Sequence, residues 1–287
     1  MANLKEIRSR ISSVGSTMQI TSAMKMVSAA KLKRAQDAIT QMRPYANKLT
    51  DLLENLSNSL DSSSGGSYTQ KHKINNVLIV PITSNRGLCG GFNSYILKCV
   101  NELISEQYSN VNVSIISIGK KSTEHFEKKG FNIIDSHDSI FNDLSFENVS
   151  IIADNIMKGF VKREYDKVIL VYNQFKNAAT QIIMSENFLP LQTSDTKSTV
   201  VGDYLFEPTK EEIVDQLIPK SLKTQLFKAV LDSHAAEHGA RMTAMHKATD
   251  NASELKKELT LTYNKARQTA ITAEILEIVG GAEALKG

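Results

Sequence analysis

Residues 233–285 read SHAAEHGARMTAMHKATDNASELKKELTLTYNKARQTAITAEILEIVGGAEAL. From Met245 to Leu276 small or apolar side chains recur at alternating steps of three and four: Met245, Ala248, Ala252, Leu255, Leu259, Ala266, Ala273 and Leu276, with Thr262 and Thr269 in the gaps. This is a heptad seam. No proline follows Pro219, and the residues between seam positions are mostly charged or polar, so one narrow stripe seeks a partner while the rest is hydrated. The pattern predicts one helix from about Lys210 to Leu285, which at ~1.5 Å per residue would be about 110 Å long. Ala and Thr bury little area, so such a helix would not hold its length alone. A second segment must pair with it.

Asn3 to about Leu60 supplies that partner. Leu4, Ile7, Ile11, Val14 and Met18 step by three and four; Met24 and Val27 continue after a phase shift; Met42, Tyr45, Leu49, Leu52, Leu56 and Leu60 resume the pattern. Asn3 suits an N-cap, with Glu6 completing a capping box. Gly15 costs roughly 1 kcal/mol against Ala, and Pro44 removes a backbone donor, which predicts a bend near Arg43. The shift between Met18 and Met24 reads as a stutter. The two terminal segments are expected to form an antiparallel coiled coil whose connection is an entire domain.

Between them the pattern changes. DSSSGGSYTQ (61–70) is small and polar, a linker. NVLIVPI (76–82), VNVSIISI (111–118) and KVILVY (167–172) read as buried strands. They alternate with helices expected at 92–108, 120–129 (ended by Gly130) and 147–163, which implies βαβ units and a parallel sheet. Residues 181–184 and 188–191 suggest a hairpin, and 193–199 a loop. The predicted fold is therefore mixed α+β and α/β: a long antiparallel coiled coil of N- and C-terminal helices with an inserted Rossmann-like α/β domain. The expected divisions are 1–60 (helix), 61–73 (linker), 74–208 (α/β head) and 209–287 (helix).

Charged residues at 23% and hydrophobic residues at 41% are ordinary for a folded chain. No apolar run approaches a membrane span, and MANLKEIRSRI lacks the apolar core of a signal peptide, so a cytosolic setting is expected. Cys89 and Cys99 match neither CxxC nor a disulfide framework and are expected to be reduced. The net charge of +3 hides an uneven distribution, because residues 1–48 carry nine basic and two acidic residues. A basic stripe on one helix invites a polyanion or an acidic protein surface. Its cations are not interleaved with aromatics, and its Ala, Ser, Thr and Met suit close protein contact better than nucleic acid.

Few stretches suggest chemistry. SNRGLCGGFN (84–93) lies between strand and helix, where nucleotide-binding folds hold phosphate. Gly87, Gly90 and Gly91 do not fit GxGxxG, and no Gly-Lys-Ser/Thr follows, so the expectation is a tight turn with φ > 0 at one or more glycines. His234 and His238 lie four apart with His246 further on, but HAAEH is not HExxH and no third ligand is evident; a solvated helix face is expected, with no metal. No catalytic residue and no cofactor is predicted.

IRSRISSVGSTMQITSAMKMVSAAKLKRAQ, SNRGLCGGFN, ARMTAMHKATDNA and LTYNKARQTAITAEILEIVGGAEAL together resemble the γ subunit family of F-type ATP synthase. The match covers both ends and the head. One departure is Asn85, where many members have Asp, and there is no inserted cysteine pair of the chloroplast kind. The resemblance implies a central shaft standing in the cavity of an α3β3 hexamer, one copy per complex, with its head beside the ε subunit on the membrane c-ring. Catalysis would belong to β, and this chain would bind no small-molecule substrate. It further implies β contacts at Met24 and Lys25, facing an acidic β loop, and at Arg241, Arg267, Gln268, Thr272 and Glu274, with Gly87, Cys89, Gly90 and Gly91 forming the head turn and Cys89 a packed thiol. A bacterial chain would sit peripherally on the cytoplasmic face of the inner membrane. The alternative is a coiled-coil scaffold with a nucleotide-sensing head.

Overall fold

A computed structural model describes residues 4–58, 68, 73–191 and 210–284. The chain divides into two compact units, residues 29–241 and residues 1–28 with 242–287. Helix α1 (Leu4–Asn58) and the C-terminal helix α5 (Lys210–Ala284) each contribute to both. The expected N-cap Asn3 and the linker, apart from residues 68 and 73, lie outside the described residues, as does the loop at 193–199. The capping box expected between Asn3 and Glu6 falls with Asn3 outside the described residues; Glu6 pairs with Arg10 at 2.8 Å.

The larger unit holds a five-stranded sheet of order β3-β2-β1-β4-β5. The strands are β1 (Asn76–Pro81), β2 (Asn112–Ser117), β3 (Asn132–Ser136), β4 (Lys167–Phe175) and β5 (Gln181–Leu189). The first four run parallel, and β5 returns antiparallel to β4. Val77, Leu78, Ile79 and Val80 are wholly buried, as a central parallel strand covered on both faces requires. The connecting helices are α2 (Phe92–Glu102), extended by a π-helical turn over 103–107, α3 (Lys120–Lys128) and α4 (Phe146–Val161). Ser145 caps α4 by accepting from the Asn148 amide at 3.3 Å, and Gly130 ends α3 at φ 73°.

Two elements differ from the sequence reading. The hairpin expected at 181–191 is the single strand β5, paired with β4 through a turn in which Asn177 accepts from the amides of Ala179 and Thr180 at 3.0 and 2.7 Å. Strand β3 was not expected. It is an edge strand, mostly exposed, with Ile134 50% accessible, so it carries little of the apolar pattern that reveals buried strands.

The main core of this unit joins β1, β2, β4 and β5 to α4 and to α5 from Ile218 to Val230. Lys223 of α5 also reaches Asp154 of α4 at 2.8 Å. Both long helices are continuous through their prolines, Pro44 and Pro219. Ile39, Ala46 and Leu49 are buried around the first, Ile218 and Leu222 around the second, so packing of the neighbouring turns outweighs the lost backbone donor.

In the smaller unit the first turns of α1 lie antiparallel to α5. The Thr21 and Thr249 hydroxyls are 2.8 Å apart, Lys25 Nζ lies 3.5 Å from His246 Nδ1, and a Cβ at Gly15 would rest 3.7 Å from Lys256 Nζ. That is ordinary contact with the end of a flexible side chain, so packing does not require a glycine at position 15. The expected stutter is absent. Thr21 and Ser28 are buried and Lys25 is half-buried, so the heptad runs unbroken through Ile7, Ile11, Val14, Met18, Thr21, Lys25, Ser28, Leu32, Ala35 and Ile39. Three polar residues at seam positions hid this regularity. Val27 and Tyr45, expected in the seam, are 58% and 46% exposed.

Candidate functional site

The turn after β1 is built from inside. Ser84 accepts from Asn93 Nδ2 at 2.8 Å and donates to the Arg86 carbonyl at 2.7 Å, while its amide donates to Asn93 Oδ1 at 3.0 Å. Asn93 Nδ2 also lies 3.3 Å from Cys89 Sγ. Cys89 is buried, and burial pushes its thiol up, which disfavours the reactive thiolate. Gly90 has φ 59°, as expected of one glycine here, but Leu88 shares the left-handed region at φ 63° and presents its side chain to solvent. Gly87 is exposed, and Gly91 precedes α2 at φ −80°.

In an open parallel sheet a ligand would enter the crevice beyond the carboxyl ends of β1 and β4, where the strand order reverses. Here α5 fills that place. Ser233 Oγ donates to the Ile82 carbonyl at 3.2 Å, and Arg241 donates to the Arg86 carbonyl at 3.0 Å. Asn173 of β4 donates to the Phe92 carbonyl at 3.0 Å from the other side. The first amides of α3 are also taken: Lys120 donates to Asn85 Oδ1 at 3.0 Å, Lys121 to the Ser84 carbonyl at 3.1 Å and Ser122 to Thr83 Oγ1 at 2.9 Å. These groups face protein acceptors instead of a phosphate. Asn85 acts as a bridge, because its other end donates to the Asp138 carbonyl at 2.6 Å; an Asp there could not donate.

The expectation for His234 and His238 is overturned. They do not line a solvated face: α5 is buried almost all round from Ala229 to Gly239, and the two Nε2 atoms are 3.1 Å apart. The surrounding AVL and AA residues carried that signal, since a helix apolar on every side is enclosed. His246 stays exposed, 3.3 Å from Asp250. Among the described residues no group of three His, Cys, Asp or Glu side chains could hold a metal.

The residues expected to touch other subunits occupy two settings. Met24 and Lys25 are half-buried beside α5. Arg241 is buried, its guanidinium on Glu237 at 2.8 Å and on the Arg86 carbonyl, so it points into this chain rather than away from it. Arg267, Gln268, Thr272 and Glu274 are all exposed. Extending the register of Thr21 with Thr249 and of Gly15 with Lys256 along both helices brings Leu4 level with Ala266 and Arg267, so α5 runs on without a described partner from Gln268 to Ala284. That stretch is about 25 Å long. It carries Ile271, Ile275, Leu276, Ile278 and Val279, each about half exposed or more. The seam residues expected at Ala273 and Leu276 are thus exposed, with no described part of α1 level with them.

The ATP synthase family matches residues 3–285. The ATP synthase gamma chain of Flavobacterium johnsoniae is 62% identical over 288 residues, covering all of both chains. The chain belongs to the ATP synthase γ-chain family. The gamma chain of Christiangramia forsetii is 60% identical, again over all of both chains. Among solved structures, the central stalk and c-ring of Tetrahymena thermophila mitochondrial ATP synthase matches with TM-score 0.61 and 26% identity, covering 80% of this chain and 99% of that one. An F1 and c-ring structure from Euglena gracilis shares the fold at TM-score 0.70 and 23% identity, over 98% and 94% of the two chains. As a γ chain, this protein is a central-stalk subunit of an F-type ATP synthase, a membrane-bound complex. Among the described residues no helix is long and apolar enough to cross a membrane.

Proposed function

We propose that this chain is the rotor shaft that couples proton flow through the c-ring to the catalytic cycle of three β subunits. The observation that carries this reading is the end of α5, where five large aliphatic side chains stand exposed on a helix with no described partner. Leaving such a stripe in water forfeits roughly 1.5–3 kcal/mol per side chain relative to burial, so a protein sleeve is favoured. The α3β3 hexamer supplies it. Arg267, Ile271, Glu274 and Ile278 fall on one face of the helix, and Gln268, Thr272, Ile275 and Val279 on the next, so each β subunit meets a different mixture of charge and apolar surface.

Because these faces differ, each shaft angle favours a different open or closed state in each β, and by linkage nucleotide binding drives the shaft in return. Arg267 and Gln268 are the principal β contacts, since a guanidinium can clamp a loop carboxylate through two hydrogen bonds. Met24 and Lys25 face an acidic β loop, Met24 as an adaptable apolar bearing. The head rests beside ε on the c-ring, at the cytoplasmic face of the bacterial membrane, one copy per complex. Arg241 acts from within by tying α5 to the head turn. Catalysis and nucleotide sites belong to the hexamer.

Replacing Arg267 and Gln268 by Ala in the assembled complex tests the reading. The expected result is ATP-driven proton pumping reduced severalfold with assembly retained; full coupling in the double variant would contradict the assignment. A nucleotide-sensing head is disfavoured by the filled crevice beside β1, and titration of the chain with ATP or ADP is expected to give no binding heat.

A further inference from the structure

His234 and His238 form a perpendicular imidazole pair, ring centroids 4.5 Å apart and Nε2 atoms 3.1 Å apart. At that distance one Nε2 carries the proton and the other accepts it; two N–H groups would collide and two lone pairs would repel. His238 Nδ1 is buried with no hydrogen-bond partner. A bare lone pair is less costly to bury there than an orphaned N–H. This assigns His238 as the Nε2–H donor and His234 as the acceptor, with both rings neutral.

An extra proton has no good place to go. On His234 Nε2 it destroys the N–H···N contact; on His238 Nδ1 it meets no acceptor. The surroundings do not compensate. From α1 comes Lys31; α5 itself offers Glu237 and Arg241, already joined at 2.8 Å. From the 3₁₀ turn Asp138–Phe141 comes the Phe141 ring, stacked on His234 at 5.8 Å, while Asp138 lies 3.4 Å from Thr123. The head turn presents the Arg86 carbonyl, which Arg241 occupies. Two cations therefore act on the rings while the Glu237 carboxylate is committed to Arg241, and an imidazolium would be a third cation.

We propose that the His234–His238 pair is an acid-sensitive latch, holding this part of α5 against the 3₁₀ turn when neutral and releasing it when protonated. The latch stands on the geometry of this chain and goes beyond the rotor reading without depending on it. Burial, then Lys31 and Arg241, holds His234 down at about 4; burial, then His234, Arg241 and Lys31, holds His238 down at about 3. An opened imidazole titrates near the ordinary 6.5. The closed state is thus fully favoured above that value and loses ground as pH falls from 6.5 toward 4. Glu237 works in the other direction: burial raises its carboxyl above the usual range, so protonation there favours the closed state and cannot cause the release.

The test is amide hydrogen exchange on the full chain in its purified complex, comparing residues 229–241 with α4, which has no histidine. Protection of 229–241 relative to α4 should fall by at least about tenfold for each imidazole protonated on opening between about pH 7.5 and 5. The variant H234N/H238Q, whose amides keep polar contact without titrating, should remove that loss. Unchanged relative protection in the wild type, or the same loss in the variant, would overturn the proposal. Should the variant fail to assemble, the wild-type profile decides: an onset near 6.5 supports the latch, and an onset only in the carboxylate range, below about 5, overturns it.

Discussion

Arg43 of α1 donates to Asp232 of α5 at 3.1 Å, and to the Phe175 carbonyl of β4 at the same distance, so one guanidinium joins both long helices to the sheet within the larger unit. The Asp232 side chain is wholly buried, and its second oxygen has no hydrogen-bond partner. Burial raises its carboxyl, with Arg43 opposing. The pair is costly to break from one side only, because the survivor is a desolvated carboxylate.

Arg43→Ala is accordingly expected to destabilise the chain by about 2 kcal/mol, below the ~3–5 kcal/mol of a fully buried pair because the guanidinium remains partly solvated. A carboxyl whose folded value is raised costs stability as pH rises through its titration range, and removing Arg43 raises it further. The deficit of the variant against wild type should therefore shrink as pH is lowered toward 4. Urea unfolding of both proteins across that range checks the sign; a deficit that grows on acidification would refute it.

Gly119 has φ 99°, and a Cβ there would collide with the Thr83 carbonyl. Gly119→Ala should cost more than about 2 kcal/mol through strain and overlap together. Gly87, with nothing within 4 Å of its would-be Cβ, should accept Ala within about 0.5 kcal/mol. Thermal unfolding of the two variants separates glycines that look alike in sequence.

The Thr21–Thr249 hydroxyl pair sits in the seam, and each oxygen also lies near a carbonyl of its own helix, Thr21 at 3.1 Å from that of Met18 and Thr249 at 2.8 Å from that of Met245, so two hydroxyl protons are shared among three contacts. Replacing either Thr by Val strands the other's polar contact and should cost about 1 kcal/mol, whereas the double replacement should cost less than the two singles combined. A double-mutant cycle by chemical unfolding measures the coupling; strict additivity would show that the pair contributes nothing.

Met24 is half-buried beside α5, next to Lys25, in the basic first helix. Met24→Lys exchanges a polarizable bearing surface for a charge able to fix an ion pair with an acidic β loop. Protons pumped per ATP hydrolysed should fall severalfold while ATPase activity persists. An unchanged ratio would remove Met24 from the coupling surface.

Periodicity made the long helices and the buried strands legible, because Val77 to Val80 and the steps along α1 and α5 are statements about burial. It failed where burial and hydrophobicity part company. Thr21, Lys25 and Ser28 keep the seam yet read as a break, while Val27 and Tyr45 are apolar yet exposed. Strand β3 escaped because an edge strand need not alternate. The Arg43–Asp232 pair spans 189 residues of sequence, and no local signal links its halves. The His pair was visible only through its apolar neighbours. Arg241 was expected on a contact surface and proved to be an internal tie, since a charged side chain in a helix pattern does not declare which face it takes.

Co-expression of this chain with α and β subunits of the same kind, followed by size exclusion and an ATPase assay, tests the shaft reading most directly. The account predicts a single α3β3γ particle whose rotation-dependent ATPase activity requires this chain and is weakened when residues 268–287 are removed. A chain that elutes alone, leaving the activity of α and β unchanged, would contradict it.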